Sequence, residues 1–178
     1  VKYDHLTVAK AKELGIQVIY QEFANVPTLC APDNVFLGQH TSKFIVNDKE
    51  RIQRTKELFA SLHVNIPLDL PLGDMSPAMQ QIVEIAKAVS ANVRILIMDE
   101  PTAPLTNNEI DMLFRIICQL KEKGVSIIYI SHRLEELPVI SDRISVLRDG
   151  KYISTVNTLE ISREKLIAMM AGRELDAQ

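Results

Sequence analysis

The sequence lacks the features that mark several specialised classes of protein. Its 178 residues include only two cysteines, Cys30 and Cys118, and their separation matches no metal-ligand spacing. No apolar run approaches the ~20 residues that a membrane-spanning helix needs. The net charge of -3 provides no basic field of the kind that attracts nucleic acid. We therefore expect free thiols in a reducing compartment, no transmembrane segment and no nucleic-acid partner.

A glycine-rich phosphate loop of the form G-x-x-x-x-G-K-[ST] is also absent from the sequence. The only Gly-Lys pair is Gly150-Lys151, which tyrosine follows, and Ser145 occupies the position of the first glycine. This pattern indicates a turn, and we predict that Asp149-Gly150 forms a tight turn that leads into an extended segment at 152–156. The first residue is Val1 and not methionine, so we expect a piece of a longer protein.

What is present is an ordinary globular composition, 47% hydrophobic and 24% charged, which is enough to bury a core. Continuous apolar strands are predicted at 94–98, 125–130 and 144–147, with a helix from about Asn108 to Lys123 between the first two. This alternation predicts an α/β fold with a parallel sheet.

The remaining segments are predicted from shorter signals. Residues 16–20 form a short strand, and residues 21–46 are loop-like because prolines and glycine interrupt them. Asn47 begins a helix with Glu50 as its capping-box partner. Serines cap two further predicted helices, one from Ser76 to about Ser90 and one from Ser162 to Gly172, and another predicted helix carries Leu134 and Leu137.

The strongest chemical signal is the apolar strand Arg94-Ile-Leu-Ile-Met, which ends in Asp99-Glu100-Pro101-Thr102. Ligands bind at the carboxyl end of strands in open α/β sheets. An aspartate there can hold Mg²⁺ beside nucleotide phosphates, and the next carboxylate can orient or deprotonate a water molecule. A solvated Asp-Glu pair at a strand end is the alternative.

Three weaker signals accompany these carboxylates. His132 follows the next strand and could donate to a γ-phosphate oxygen, Ser76 caps a helix whose first amides could receive an anion, and Gln21 follows the first strand. Taken singly, a structural histidine, an ordinary capped helix and a surface glutamine are the common explanations. The order Gln21, Ser76, Asp99-Glu100, His132 favours a shared site.

That order and spacing resemble the ATP-binding cassettes (ABC ATPases), with their Q-loop, signature motif, Walker B strand, D-loop and H-loop. The resemblance covers essentially the whole chain and is closest to the ATPases of ribose, galactose and xylose importers, which carry two cassettes in one polypeptide. The residues that carry the subfamily resemblance are Tyr20-Gln21-Glu22, Asp33-Asn34-Val35-Phe36-Leu37-Gly38, Gln80-Gln81-Ile-Val-Glu84-Ile-Ala-Lys87-Ala and Ala171-Gly172-Arg173-Glu174.

The resemblance implies a role for each residue of the site. Gln21 would contact Mg²⁺ and couple the ATP site to a permease, and Asp99 would organise Mg²⁺. Glu100 would be the general base and His132 the γ-phosphate sensor. Ser76, with the amides near Ala78 and Gln80, would bind the γ-phosphate of an ATP molecule held by an opposing cassette. The D-loop would be Ala103-Pro104-Leu105-Thr106.

Two departures from the family pattern matter. The signature usually reads Leu-Ser-Gly-Gly-Gln, whereas this chain has Met75-Ser76-Pro77-Ala78-Met79-Gln80, in which Pro77 has no amide to donate and Ala78 adds a methyl group. We expect a weakened site. The phosphate loop and the adenine-stacking aromatic residue of the family lie upstream of its Q-loop, so both would precede Val1.

We therefore predict a P-loop NTPase-like nucleotide-binding domain, incomplete at its N-terminus, with a parallel-sheet core and a helical subdomain. The predicted segments are core at 1–21, Q-loop and helical subdomain at 22–92, core with Walker B, D-loop and H-loop at 93–160, and C-terminal helix with the start of a hinge at 161–178.

The function implied is ATP hydrolysis, with ATP and Mg²⁺, in a sugar importer at the cytoplasmic face of the cell membrane. The implied partners are permease subunits, a second cassette and, indirectly, a periplasmic or extracellular sugar-binding protein. The alternatives are a non-catalytic cassette-like binding or regulatory remnant, a DNA-repair or chromosome-structure cassette, whose long insertions are absent here, and a helicase, which fits Pro101-Thr102 poorly.

Overall fold

The computed structural model describes residue 3, residues 5–39 and residues 48–172. Contacts divide the chain into two units, the first ending at Ile130 and the second starting at Ser131. Within the described ranges no helix has both the length and the apolar character needed to cross a bilayer. The predicted helix start at Asn47 and the predicted hinge after Gly172 lie outside the described residues.

The first unit is an α/β layer around a parallel sheet. Its three strands pair in the order β1-β2-β3, with β2 in the centre. Ile16 pairs with Ile95 on β2, and Met98 pairs with Tyr129 on β3. The elements are α1 (Val8–Glu13), β1 (Ile16–Ile19), α2 (Ala31–Val35), α3 (Asp48–Ser61), α4 (Pro77–Ser90), β2 (Ile95–Asp99), α5 (Asn107–Glu122) and β3 (Ser126–Ile130).

The two faces of this sheet are buried to different extents. Leu96 and Met98 of β2 are fully buried on the face where the ring of Phe114 on α5 meets Tyr129 edge-on, with centroids 6.4 Å apart. On the other face Ile128 is 51% exposed. The apolar strands predicted burial on both faces, whereas the described residues show full burial on the face that Phe114 of α5 covers.

Helix α4 confirms the predicted capped helix. Its N-cap is Ser76, whose hydroxyl accepts from the Met79 amide, and Pro77 takes the first helical position, where no amide is needed. Helix α5 begins after Thr106, which forms a capping box with Glu109. Helix α5 starts at Asn107, one residue before the predicted start, because its N-cap is Thr106.

The segment predicted as loop-like after Gln21 contains one short helix, α2. The N-terminal half of that helix is set by Pro32, and Asn34 within it is fully buried. Prolines therefore mark a helix start here as well as a loop, since the first turn of a helix tolerates proline.

The second unit is built differently from the parallel sheet. Its strands β4 (Arg143–Arg148) and β5 (Lys151–Asn157) pair antiparallel in a sheet of their own, and its helices are α6 (Leu137–Ile140) and α7 (Arg163–Ala171). The core joins Ile144 and Val146 of β4 to Leu166 of α7. The predicted strand at 144–147 is thus present and continues through the predicted turn at Asp149-Gly150 into β5, and in the described residues it pairs with β5 and not with the parallel sheet.

A predicted hairpin turn and a predicted helix end in this unit are confirmed. Asp149 and Gly150 connect β4 to β5 with φ values of 52° and 72°, as a type I′ hairpin turn requires. Helix α7 ends at Gly172, which adopts the left-handed conformation at φ 69°.

We predict that Gly15→Ala destabilises the chain by ~2–3 kcal/mol in urea unfolding. Gly15 has a φ of 76°, and an added Cβ would lie 2.9 Å from Arg94 Cγ and 3.1 Å from the Arg94 amide nitrogen. That amide donates to the Gly15 carbonyl at 2.7 Å, so relief of the clash would disturb the pairing of β1 with β2.

The matched control is Gly124→Ala, at a φ of 85° but with nothing within 4 Å of an added Cβ. We expect a cost of ~1 kcal/mol there, from backbone conformation alone. Equal losses for the two variants would contradict the proposed crowding at Gly15.

Candidate functional site

The parallel sheet brings two parts of the predicted site to one edge. Ile19 and Met98 are register partners, so β1 and β2 end side by side. Asp99 is the last residue of β2 and is half-buried, while Gln21 lies two residues beyond the end of β1 and is exposed. A carboxylate and an amide oxygen therefore follow neighbouring strand ends, where ligands of open α/β sheets bind.

Glu100 leaves β2 in an unusual backbone conformation. Its φ is 45°, in the left-handed region that side chains other than glycine rarely adopt, and its amide donates to the Ile130 carbonyl at 2.9 Å. Such a conformation costs ~1 kcal/mol or more and persists where the surroundings impose it. The hydrogen bond to the end of β3 is one contact that holds it, so the position of the Glu100 backbone depends in part on the pairing of β2 with β3.

The residues after Glu100 form two consecutive tight turns in the predicted D-loop. The Ala103 amide donates to the Glu100 carbonyl at 3.2 Å, and the Leu105 amide donates to the Thr102 carbonyl at 3.0 Å. Thr102 is 1% exposed, whereas Ala103 is exposed. The segment is therefore anchored from inside and presents its tip to solvent.

Glu109 links the end of this segment to the signature helix. Hydrogen bonds from the Thr106 amide, then from the Thr106 hydroxyl, lower the pKa of the Glu109 carboxyl, and the Ser76 hydroxyl adds a smaller effect of the same sign. The carboxylate thus remains charged beside the serine that is predicted to meet a phosphate.

The start of α4 offers few backbone amides to an anion. Pro77 has none, the Met79 amide donates to the Ser76 hydroxyl at 3.4 Å, and the Gln80 amide donates to the Ser76 carbonyl at 3.1 Å. The Gln80 side chain turns back to the Met75 carbonyl at 3.1 Å. Ala78 is 3% exposed. Ser76 and Gln80 are both half-buried, and Ala78 is the buried member of the predicted phosphate-contacting set.

His132 belongs to the second unit and is exposed. The turn that follows it is fixed by Ser131, whose hydroxyl accepts from the Arg133 amide at 2.9 Å and donates to Glu136 at 3.0 Å. Glu136 is 4% exposed and pairs with Arg133 at 3.3 Å. The proximity of His132 to the acidic strand end stays a prediction.

A buried carboxylate that sequence reasoning did not assign lies on α4. Glu84 is 7% exposed, and its Oε1 accepts a hydrogen bond from the Ala24 amide at 2.5 Å. Burial raises the pKa of the Glu84 carboxyl, while the Ala24 amide and the charge of Lys87 oppose the rise. The available signal was a glutamate within the buried run Gln81 to Ala86, but its partner lies 60 positions away.

A second unassigned residue, Asn34, organises the segment that follows Gln21. Its Oδ1 accepts from the Val26 amide at 2.8 Å, and its Nδ2 donates to the carbonyls of Val26, Leu29 and Cys30 at 3.1 to 3.2 Å. The side chain thus satisfies four backbone groups of one loop, as burial demands.

The donor groups at the sheet edge fit one kind of metal site. Among the described residues, no group of three or more histidine, cysteine, aspartate or glutamate side chains lies together as a closed metal site. Mg²⁺ commonly takes one or two protein carboxylates and fills its shell with water and substrate phosphates. Asp99, with the amide oxygen of Gln21, suits that chemistry.

Comparison with known proteins gives one family from sequence, and comparison with solved structures gives the fold of that family. The family model described as "ABC transporter" matches residues 2–103. The galactose/methyl galactoside import ATP-binding protein MglA of Fusobacterium nucleatum is 43% identical over 176 residues, which are 98% of this chain and 35% of that protein. The ribose import ATP-binding protein RbsA 2 of Burkholderia ambifaria is 47% identical over 165 residues, 92% of this chain and 33% of that protein.

The chain therefore spans about a third of the length of these curated relatives. A solved nucleotide-free ATP-binding cassette from an ABC transporter superposes with a TM-score of 0.74 at 21% identity, over 90% of this chain and 66% of that one. At this identity the likeness shows the fold, and the predicted fold class is confirmed.

We predict that the stability of the chain relative to Glu84→Gln falls as pH rises. The folded-state pKa of Glu84 lies above its ordinary value of about 4.3. The folded state consequently binds more protons than the unfolded state between those two values, and ΔG of unfolding falls there with increasing pH. The contribution is complete below pH ~4 and is lost above the raised pKa.

Urea unfolding of both proteins at several pH values from 4 to 7.5 measures this difference. The exposed-site variant Glu122→Gln controls for loss of a charge and should track the parent chain. A constant gap between the parent and Glu84→Gln over this range would contradict the raised pKa.

Proposed function

The chain belongs to the ABC transporter family, and we propose that it is the hydrolytic part of an ATP-binding cassette that energises the uptake of a sugar. The observation that carries the proposal is the end of β2, where Asp99 and Glu100 stand in sequence beside the Gln21 segment. The two relatives are named as import ATP-binding proteins for galactose or methyl galactoside and for ribose, which supports the sugar class.

In this proposal each side chain of the strand-end site has one task. Asp99 and Gln21 hold Mg²⁺, which neutralises charge on the nucleotide phosphates. Glu100 accepts the proton of the attacking water. The hydrogen-bonded backbone of Glu100 restricts the region that its carboxylate can occupy. His132 donates a hydrogen bond to an oxygen of the γ-phosphate.

The start of α4 serves a different nucleotide. Ser76, with Ala78 and Gln80, contacts the γ-phosphate of an ATP molecule bound by an opposing cassette, at the positive end of the helix dipole. The Gln80 and Met79 amides already donate within the first turn, and the Ser76 hydroxyl donates to Glu109, so the hydroxyl has to turn from Glu109 to donate to a phosphate. Glu109 beside it opposes anion binding.

The proposed setting follows from the family. The cassette works with permease subunits and a second cassette at the cytoplasmic face of a membrane, and a sugar-binding protein delivers the sugar on the opposite side. The segment from Glu22 to Gly38 lies near the permease. In this setting the sugar is recognised by the permease and the binding protein, so the cassette residues contribute energy and not selectivity.

We expect the purified 178-residue chain to show no ATP hydrolysis. Its sequence has no phosphate loop, so it lacks the lysine and the backbone amides that hold the β- and γ-phosphates. Phosphate release with and without Mg²⁺ measures this. A magnesium-dependent activity that disappears in Glu100→Gln would contradict the prediction.

A chimera tests the residue roles. In it, this chain replaces the matching third of the Fusobacterium nucleatum relative, which supplies the rest of the protein. We expect magnesium-dependent turnover that falls ~100-fold or more in Glu100→Gln, which should retain bound ATP, and ~100-fold in His132→Ala.

Two exposed positions provide controls for these variants, Glu122→Gln and His5→Ala, and both should turn over at the parent rate. Parent rates in Glu100→Gln and His132→Ala would refute the role assignment. A folded chimera whose turnover does not exceed that of its Glu100→Gln variant would instead support the non-catalytic alternative.

A further inference from the structure

Two hydrogen bonds hold the segment after Gln21 along helix α4. The Asn25 side-chain amide donates to the Gln80 carbonyl at 3.1 Å, and the Ala24 amide donates to Glu84 at 2.5 Å. Gln80 and Glu84 are four residues apart, so they lie on one face of α4, one turn from each other. Residues 24 and 25 are therefore hydrogen-bonded to two successive turns of α4.

Burial of the Glu84 carboxylate costs free energy, whereas burial of an apolar side chain at the same position would not. Most of its helix neighbours are apolar and fully buried, and burial disfavours its charged form. A buried carboxylate is tolerated when a donor compensates it, and a hydrogen bond to a charged group is stronger than one between neutral groups. The Ala24 amide is that donor. A side chain retained at this cost suggests a role in specifying geometry.

The far side of the segment is fixed as well. Val26 exchanges hydrogen bonds in both directions with the fully buried Asn34. Ala24, Asn25 and Val26 are thus each tied down, whereas Gln21 and Glu22 are exposed. Only three residue steps separate Gln21 from Ala24, a reach of at most ~10 Å. Gln21 therefore stays within that distance of Ala24, so a displacement of Ala24 with α4 changes the positions that Gln21 can reach.

We propose that Glu84 is a positioning residue that fastens Ala24 to α4 and so makes the position of Gln21 depend on that of Ser76, the N-cap of the same helix. The inference rests on the proposed function for the roles of Gln21 and Ser76. Those two residues serve different nucleotides in that function, one held in cis and one held by the opposing cassette. Glu84 then links the state of one ATP site to the other.

Hydrogen exchange of the 178-residue chain tests the contact without nucleotide. The variants are Glu84→Met, which keeps the side-chain volume but cannot accept a hydrogen bond, and Glu84→Gln, which can. We expect the Ala24 amide to exchange about ten-fold faster in Glu84→Met and within about two-fold of the parent in Glu84→Gln. Glu122→Met, at an exposed site of α5, is the control for the substitution.

Far-UV circular dichroism and the exchange of β2 amides report whether each variant is folded. If Glu84→Met does not fold, Asn25→Ala, which removes the second bond to α4 from the loop side, takes its place. It should raise exchange at Ala24 by a smaller factor. Unchanged Ala24 exchange in a folded Glu84→Met or Asn25→Ala chain would overturn the proposed fastening.

The chimera tests the consequence for catalysis. Because Gln21 and Ser76 act on the reacting phosphate, Glu84→Met should lower kcat about ten-fold and leave KM for ATP within about two-fold, while Glu84→Gln should restore kcat. Equal kcat in the two variants, despite different Ala24 exchange, would show a contact of structural importance only and overturn the coupling. A chimera lacking Glu100-dependent turnover would refute the proposed function, and hydrogen exchange would still decide the role of Glu84.

Discussion

The hydrogen bonding of β2 to its two neighbours is the constraint on which the rest of the first unit depends. At its start the Gly15 carbonyl accepts from the amides of Arg94 and Ile95, and at its end the Glu100 amide donates to the Ile130 carbonyl. Both ends of the strand are thus pinned to a neighbouring chain segment. A slip of one residue would exchange the buried and exposed faces and move Asp99 out of the strand-end position. The backbone positions of the catalytic carboxylates of the proposed function are therefore set by strand pairing.

Much of this architecture could be predicted from the sequence, because its signals are local. The run of apolar residues before Asp99 predicted β2, and the Ser76-Pro77 pair predicted the start of α4, since a strand core and a helix cap each depend on a few adjacent residues. The Asp149-Gly150 turn was predictable for the same reason. The family followed from the order of these local signals along the chain.

The parts that escaped prediction depend on distant partners. The apolar run at 144–147 predicted a strand, but the sheet that this strand joins is determined by its pairing with β5. Glu84 has an unremarkable helical context until Ala24 is placed against it, and Asn34 acts through a loop whose path the sequence did not show. The roles assigned to Gln21, Ser76 and His132 come from the resemblance, because a single glutamine, serine or histidine has no distinctive local pattern.

The uneven burial of the parallel sheet has a consequence for the behaviour of the chain in solution. Val18, Ile128 and Ile130 are 39%, 51% and 48% exposed, and within the described residues β3 has a hydrogen-bonded neighbour on one side. A strand with an open edge and an adjoining apolar surface is a template on which another copy can add. The strand pairing that places Asp99 at the carboxyl end of the sheet also leaves this apolar surface accessible, and we expect the isolated chain to self-associate as its concentration rises. The fraction of the isolated chain that stays monomeric then depends on self-association of the folded chain as well as on the free energy of unfolding.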